Sequence, residues 1–195
     1  MIIIPVHGYN VSDNGAGSVD TFTDALTGAG HSVLTHYADY GWIGLFTTRF
    51  GGIRSIAAGL ARRIEEDFED GDEVVLLCHS NGFAIAYECI KKTNKVDTII
   101  SFNGALDDDV VFSPNVKHIY NFYAPADKVL KWGAWLRPMH IWGRAGQSGL
   151  TDNDPRIVNI EMPDVRQHSS VFQVKALREK YSRWVVALLP EQPHT

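Results

Sequence analysis

Short apolar runs alternate with stretches of helical periodicity along the whole chain, and this alternation limits its fold more than any other feature. Ile2 to Val6 is a continuous apolar run, too short for a helix and without the polar alternation of a half-exposed strand. It reads as a strand buried on both faces. The run ends at His7-Gly8-Tyr9, and a polar, glycine-rich loop follows over Asn10 to Gly17. Val19, Phe22, Leu26 and Ala29 then recur at helical spacing, with Ser18 placed as N-cap. His31 to Tyr37 is the next strand. Ile53, Ile56, Ala57, Leu60, Ile64 and Phe68 share one face of a helix that Gly71 closes. Glu73 to Cys78 is a buried strand, and Gly82 to Ile90 an almost wholly apolar helix. Val96 to Phe102, Val116 to Tyr123 and Arg156 to Glu161 are further strands. Val171, Val174, Leu177, Tyr181, Trp184 and Leu188 mark a last helix that Pro190 stops. Strands separated by helices give an α/β chain with a doubly wound, mainly parallel sheet of about six strands.

The 195 residues, 45% hydrophobic and 21% charged, suit a single domain over 1–195 that needs neither disulfide nor metal to fold. With a net charge of -5 and no basic run, the chain is not expected to bind nucleic acid. Cys78 and Cys89 both lie in apolar stretches and read as reduced core residues. The N-terminal run lacks a basic segment and a long apolar one, and no stretch is long enough to span a bilayer. A cytoplasmic chain without an integral membrane segment is expected.

In such a sheet, ligands bind beyond the carboxyl ends of the strands, so reactive side chains are sought there. The strand Glu73 to Cys78 runs through His79-Ser80-Asn81-Gly82 straight into a helix. A sharp turn in that setting lifts a serine hydroxyl to the top of the sheet, with the helix N-terminus aimed at the same point. Against the pattern G-x-S-x-G, Cys78 stands at the first glycine and Gly82 keeps the second. Both are small, as close passage of strand and helix requires. A plain strand-to-helix turn with a serine near the N-cap is the ordinary alternative. His7-Gly8-Tyr9 ends a neighbouring strand. Backbone N–H groups of Tyr9 and Asn81 would together bind an oxyanion, although a tight turn also calls for glycine. Asp127 lies just past the strand ending at Tyr123, where a carboxylate can orient a histidine; the run Asp107, Asp108 and Asp109 is the second candidate. His168 falls between the last strand and the last helix, with His140 as the fallback. His7 and His79, beside the glycine and the serine, read as structural or pocket-lining.

With these residues in place, the chain resembles the α/β-hydrolase superfamily, especially small bacterial lipases and esterases with little or no cap domain. The resemblance rests on His7-Gly8-Tyr9, His79-Ser80-Asn81-Gly82, Asp127 and His168, and covers nearly the whole chain. It implies a minimal α/β-hydrolase fold that lacks the usual two leading strands, with the first strand beside the one that carries Ser80. Cleavage of carboxylic esters through an acyl-enzyme on Ser80 is expected, with His168 as base and Asp127 orienting it. No metal or organic cofactor is required. Loops at about 38–50, with Trp42 and Phe46, and at 128–155, with Trp132, Trp135 and Met139, suit the apolar part of a small-molecule or lipid-like ester. Those side chains would serve equally to pack the loops on the core. The same site residues fit an acyltransferase, a thioesterase or a peptidase, and the fold also suits a binding protein. Oligomeric state is not written in the sequence.

Overall fold

The computed structural model describes residues 1–8, 17–38, 51–135, 143–151 and 153–190. Its strands are β1 (Ile2–Val6), β2 (Ser32–Val33), β3 (Val74–His79), β4 (Val96–Phe102), β5 (His118–Tyr123) and β6 (Ile157–Glu161). They form one sheet of six strands in the order β2-β1-β3-β4-β5-β6. Every neighbouring pair is parallel. The described helices are α1 (Thr23–Gly28), α2 (Gly52–Asp67), α3 (Gly82–Cys89), α4 (Lys128–Trp135), α5 (Ala145–Ser148), α6 (Ser170–Gln173) and α7 (Lys175–Leu188).

Successive side chains of a strand point to opposite faces, and here both faces are covered. Ile3, Val75, Leu77, Ile100, Phe102 and Phe122 pack with Phe22, Leu26, Phe172 and Tyr181, on the side of α1, α6 and α7. Ile4, Val6, Leu76, Cys78, Ile99 and Ile119 pack with Leu60 and Ile64 of α2 and Phe83 and Ile85 of α3. All six residues of β3 are buried. Burial on both sides is why Ile2–Val6 and Val74–Cys78 read as unbroken apolar runs. Cys78 and Cys89 are buried free thiols, as their settings imply. Among the described residues, no helix is long and apolar enough to cross a membrane.

Several boundaries differ from the sequence expectation. The strand expected over His31 to Tyr37 shrinks to Ser32 and Val33, which pair only with Ile2 and Ile3 at the sheet edge. The chain then turns, with Tyr37 N–H donating to Leu34 O and His36 at φ +64. An edge strand has one face of hydrogen bonds to gain, so local turn chemistry overrides its apolar pattern. The segment after Ser18 starts as a 3-10 turn over Val19–Phe22, and the Ser18 side chain makes no capping bond. Gly71 does not cap α2: Phe68 is already extended, and Gly71 at φ +111 serves the turn toward β3. The last helix is two, because Val174 at φ -90 and ψ 114 breaks it. That break lets α6 bury Val171 and Phe172 while α7 buries Tyr181 and Val185.

Gly82 fixes how closely α3 starts over the sheet. A Cβ there would stand 2.1 Å from Val6 O and 2.9 Å from His7 O. Both contacts are backbone, so no side chain can rotate away. Gly82→Ala is expected to destabilise the chain by about 2 kcal/mol or more, the cost typical of overfilling a packed site. Urea unfolding of the two proteins at neutral pH measures it; equal midpoints would show that helix and strand are free to part.

Candidate active site

β3 ends at His79 and α3 begins at Gly82, which leaves Ser80 and Asn81 to make the whole turn. A turn this short drives Ser80 into the left-handed region, at φ +55. For a non-glycine residue that conformation costs roughly 1–3 kcal/mol and persists only where neighbours enforce it. They do so here. Ser80 N–H donates to Phe102 O at 3.1 Å, and Ser80 O accepts from Phe83 N–H at 3.1 Å and Ala105 N–H at 2.9 Å. The end of β1 closes over the same residue. A Cβ on Gly8 would lie 2.6 Å from Ser80 Cβ and 3.1 Å from Ser80 Oγ. The first N–H groups of α3 have no partner within their own helix, and the helix dipole is positive at that end. An oxygen bearing negative charge beside Ser80 would be stabilised there.

Asp127 follows β5 and is fully buried. Its Oδ1 accepts from Val129 N–H at 2.9 Å and Leu130 N–H at 3.2 Å, at the start of α4. Its Oδ2 meets Asn103 Nδ2 at 2.8 Å and His168 Nδ1 at 2.6 Å. Burial pushes the carboxyl up. His168, then Asn103 and the Leu130 N–H, outweigh burial and hold it below the ordinary carboxylate value. The group is therefore a carboxylate and can only accept. It follows that Nδ1 of His168 carries a proton, which in the neutral ring leaves the lone pair on Nε2.

His168 lies past β6, with its side chain 14% exposed. His79 holds it in place. The rings sit 4.8 Å apart, His79 Nε2–H donates to His168 O at 3.2 Å, and Phe172 meets the His79 ring edge-on at 4.9 Å. Burial, and next the neighbouring His168, push His79 down to about 3. His79 is neutral near pH 7 and does not compete for a proton. Among the described residues, Ser80 Oγ makes no hydrogen bond to His168. Ser80 and the histidine–carboxylate pair are joined through His79, the residue before Ser80 in the chain.

Ser80, Asn81, Asp127 and His168 are thus gathered at the carboxyl ends of β3, β5 and β6. The second acidic candidate serves elsewhere: Asp108 accepts from Ser148 Oγ at 3.2 Å, and its backbone O from Thr151 Oγ1 at 2.8 Å. Tyr9, Trp42, Phe46, Met139 and His140 lie outside the described residues, as does the side chain of Trp135. Trp132 is on α4 and 68% exposed. Sequence reasoning passed over Asn103, although it directly follows β4 and the strand-end rule points to it. His79, read from the sequence as structural or pocket-lining, has the structural place, bound to His168. Among the described residues, no group of three or more His, Cys, Asp or Glu side chains is placed to hold a metal ion.

No family model matches the chain, and no curated protein matches it in sequence. Solved structures do match. A methylesterase from Arabidopsis superposes with a TM-score of 0.61 at 13% identity, over 97% of this chain and 100% of that one. An esterase from Pyrococcus furiosus gives 0.63 at 14% identity, over 96% of this chain and 81% of the other. The esterase domain of a Rhodothermus marinus protein gives 0.57 at 16% identity, over 96% and 85%. At such identities the likeness is one of fold, and the chain has the α/β-hydrolase fold.

The buried histidine carries a pH dependence. Its folded value lies below the ordinary 6.5, so the stability due to neutral His79 is complete above 6.5 and is lost as pH falls toward about 3. The slope from one such group is roughly 1 kcal/mol per pH unit. The stability due to ionised Asp127 is complete above the ordinary carboxylate value and is lost only below it, as pH falls through the lowered value of the folded state. His31, also lowered by burial, adds to the same acid-side loss. Urea unfolding at pH 7 and at pH 5 should show the loss in the native chain and less of it in His79→Phe. Equal slopes would mean that His79 is charged in the folded state.

Proposed function

We propose that this chain is a serine hydrolase that cleaves carboxylic esters through an acyl-enzyme on Ser80. The observation that carries the reading is the 2.6 Å contact of His168 Nδ1 with the buried Asp127 carboxylate, at the strand-end face where Ser80 is held at φ +55. The esterases among the structural neighbours favour the same class.

His168 Nε2 takes the proton of the Ser80 hydroxyl as Oγ bonds to the ester carbonyl carbon. Asp127 keeps the ring oriented and balances its charge. The N–H groups of Asn81 and Tyr9 bind the oxyanion of the tetrahedral intermediate; losing one such donor typically costs about 3 kcal/mol of transition-state stabilisation. The intermediate collapses as the bond to the leaving alcohol breaks and His168 returns its proton to that oxygen. Water, deprotonated by His168, then attacks the acyl carbon; the bond from that carbon to Ser80 Oγ breaks, the acid leaves, and His168 returns the proton to Oγ. Residues 1–195 act as one domain. Trp42 and Phe46 of the segment 38–50, and Trp132, Trp135 and Met139 of the segment 128–155, which carries α4 and α5, are the candidates to bind the apolar part of a small-molecule or lipid-like ester.

Ser80→Ala is expected to lower kcat for p-nitrophenyl acetate by about 10⁶-fold where chemistry limits the rate. A fluorophosphonate should attach to Ser80, as read by mass spectrometry of the peptide. Turnover at the native rate in Ser80→Ala would sink the proposal. A native chain that neither turns over nor labels would leave a binding protein on this fold.

A further inference from the structure

We infer that Asn103 is a positioning residue of this site, whose side-chain amide holds the Asp127 carboxylate in place relative to the turn that carries Ser80. The inference rests on the reading of Ser80, His168 and Asp127 as the reacting set.

Asn103 is the first residue after β4 and is fully buried. Its backbone is at φ +48, a region that asparagine enters more readily than other non-glycine residues. Neighbours lock that backbone. Asn103 N–H donates to Phe122 O at 3.0 Å, and Gly146 packs so tightly that a Cβ on it would stand 2.2 Å from Asn103 C. The side chain is thereby directed from the end of β4 to the loop after β5, where Nδ2 reaches Asp127 Oδ2 at 2.8 Å. A carboxylate only accepts, so the nitrogen end of the amide must be the end that faces it. The other arm, Oδ1, is buried with no hydrogen-bond partner among the described residues. An unpartnered buried carbonyl is unfavourable, and an apolar residue would avoid it. The chain bears it where the opposite arm of the amide meets the acid.

The turn over Phe102 to Ala105 grips both halves of the site. Phe102 O and Ala105 N–H bind the two backbone groups of Ser80, at 3.1 and 2.9 Å. The Asn103 side chain extends that grip to Asp127. It also shares Oδ2 with His168 Nδ1, so two donors draw on one oxygen. Without Asn103, that oxygen would bind the protonated His168 ring more tightly. The ionisable groups facing the pair are Asp127 itself, His79 from β3 and, beyond it, His7 from the end of β1.

The test uses Asn103→Gly, which keeps the left-handed backbone and removes the donor, and Asn103→Asp, which keeps the shape and adds a second carboxyl. With p-nitrophenyl acetate, Asn103→Gly should lower kcat by ~10-fold or more, a fraction of the cost of losing the acid's role, with KM changed by less than about 2-fold. The acid limb of kcat/KM should move to higher pH in both variants, further in Asn103→Asp, because each change strengthens the hold on the imidazolium. The downfield NMR resonance of the His168 Nδ1–H should shift in either variant, a readout that needs no turnover. If Asn103→Gly fails to fold, Asn103→Asp carries the test. Native kcat with an unmoved limb overturns the role, and so does a lowered kcat with both limb and resonance unmoved, which marks a purely structural residue. An inactive Ser80→Ala beside unchanged Asn103 variants overturns this role alone. Turnover surviving in Ser80→Ala overturns the underlying reading and this role with it.

Discussion

The close passage of α3 over the end of β1 governs the rest of the site. Gly82 admits the helix to within a Cβ's width of Val6 O, so only Ser80 and Asn81 remain to reverse the chain after β3. A longer connection would relax Ser80 into an ordinary conformation and drop its hydroxyl away from the strand ends. The left-handed backbone of Ser80 is the local cost of that geometry. Hydrogen bonds to Phe102, Phe83 and Ala105 hold it there, and Gly8 closes over it.

The second constraint is a charge inside the protein. A buried carboxylate is tolerated when its lone pairs are occupied. Asp127 meets that condition with four donors from three parts of the chain: two backbone N–H groups of α4, the amide of Asn103 and the ring of His168. The same bonds that stabilise the charge dictate the tautomer of His168, and so decide which nitrogen faces outward. His79 completes the support from the neighbouring strand. It is neutral because it is buried, and it binds the backbone of the residue whose ring it packs against.

Much of this was legible in the chain itself, for a physical reason that differs between elements. β1 and β3 are covered on both faces, and two-sided burial demands the continuous apolar runs Ile2–Val6 and Val74–Cys78, which the sequence shows directly. Ser80, Asp127 and His168 could be singled out as candidates because parallel strands place their carboxyl ends on one side, so position in the chain stands in for position in space. β2 was overdrawn because an edge strand is limited by how far its partner extends, and Ile2 and Ile3 offer only two pairings. The break at Val174 was invisible because both halves of the last helical region keep apolar residues at helical spacing.

The sequence by itself determined the layered α/β architecture and the order of chemically able residues along it. Those properties follow from periodicity and from chain direction, both of which are local. The tertiary structure alone decided which acid meets which base. Asp108 and Asp127 both follow strands, yet only Asp127 has His168, Asn103 and two helix N–H groups around it. It alone also revealed Asn103 as a support and showed which residue His79 holds, because both depend on contacts between residues 24 and 89 positions apart in the chain. Hydrogen bonds across such separations depend on how strands are laid side by side, and no local pattern records that.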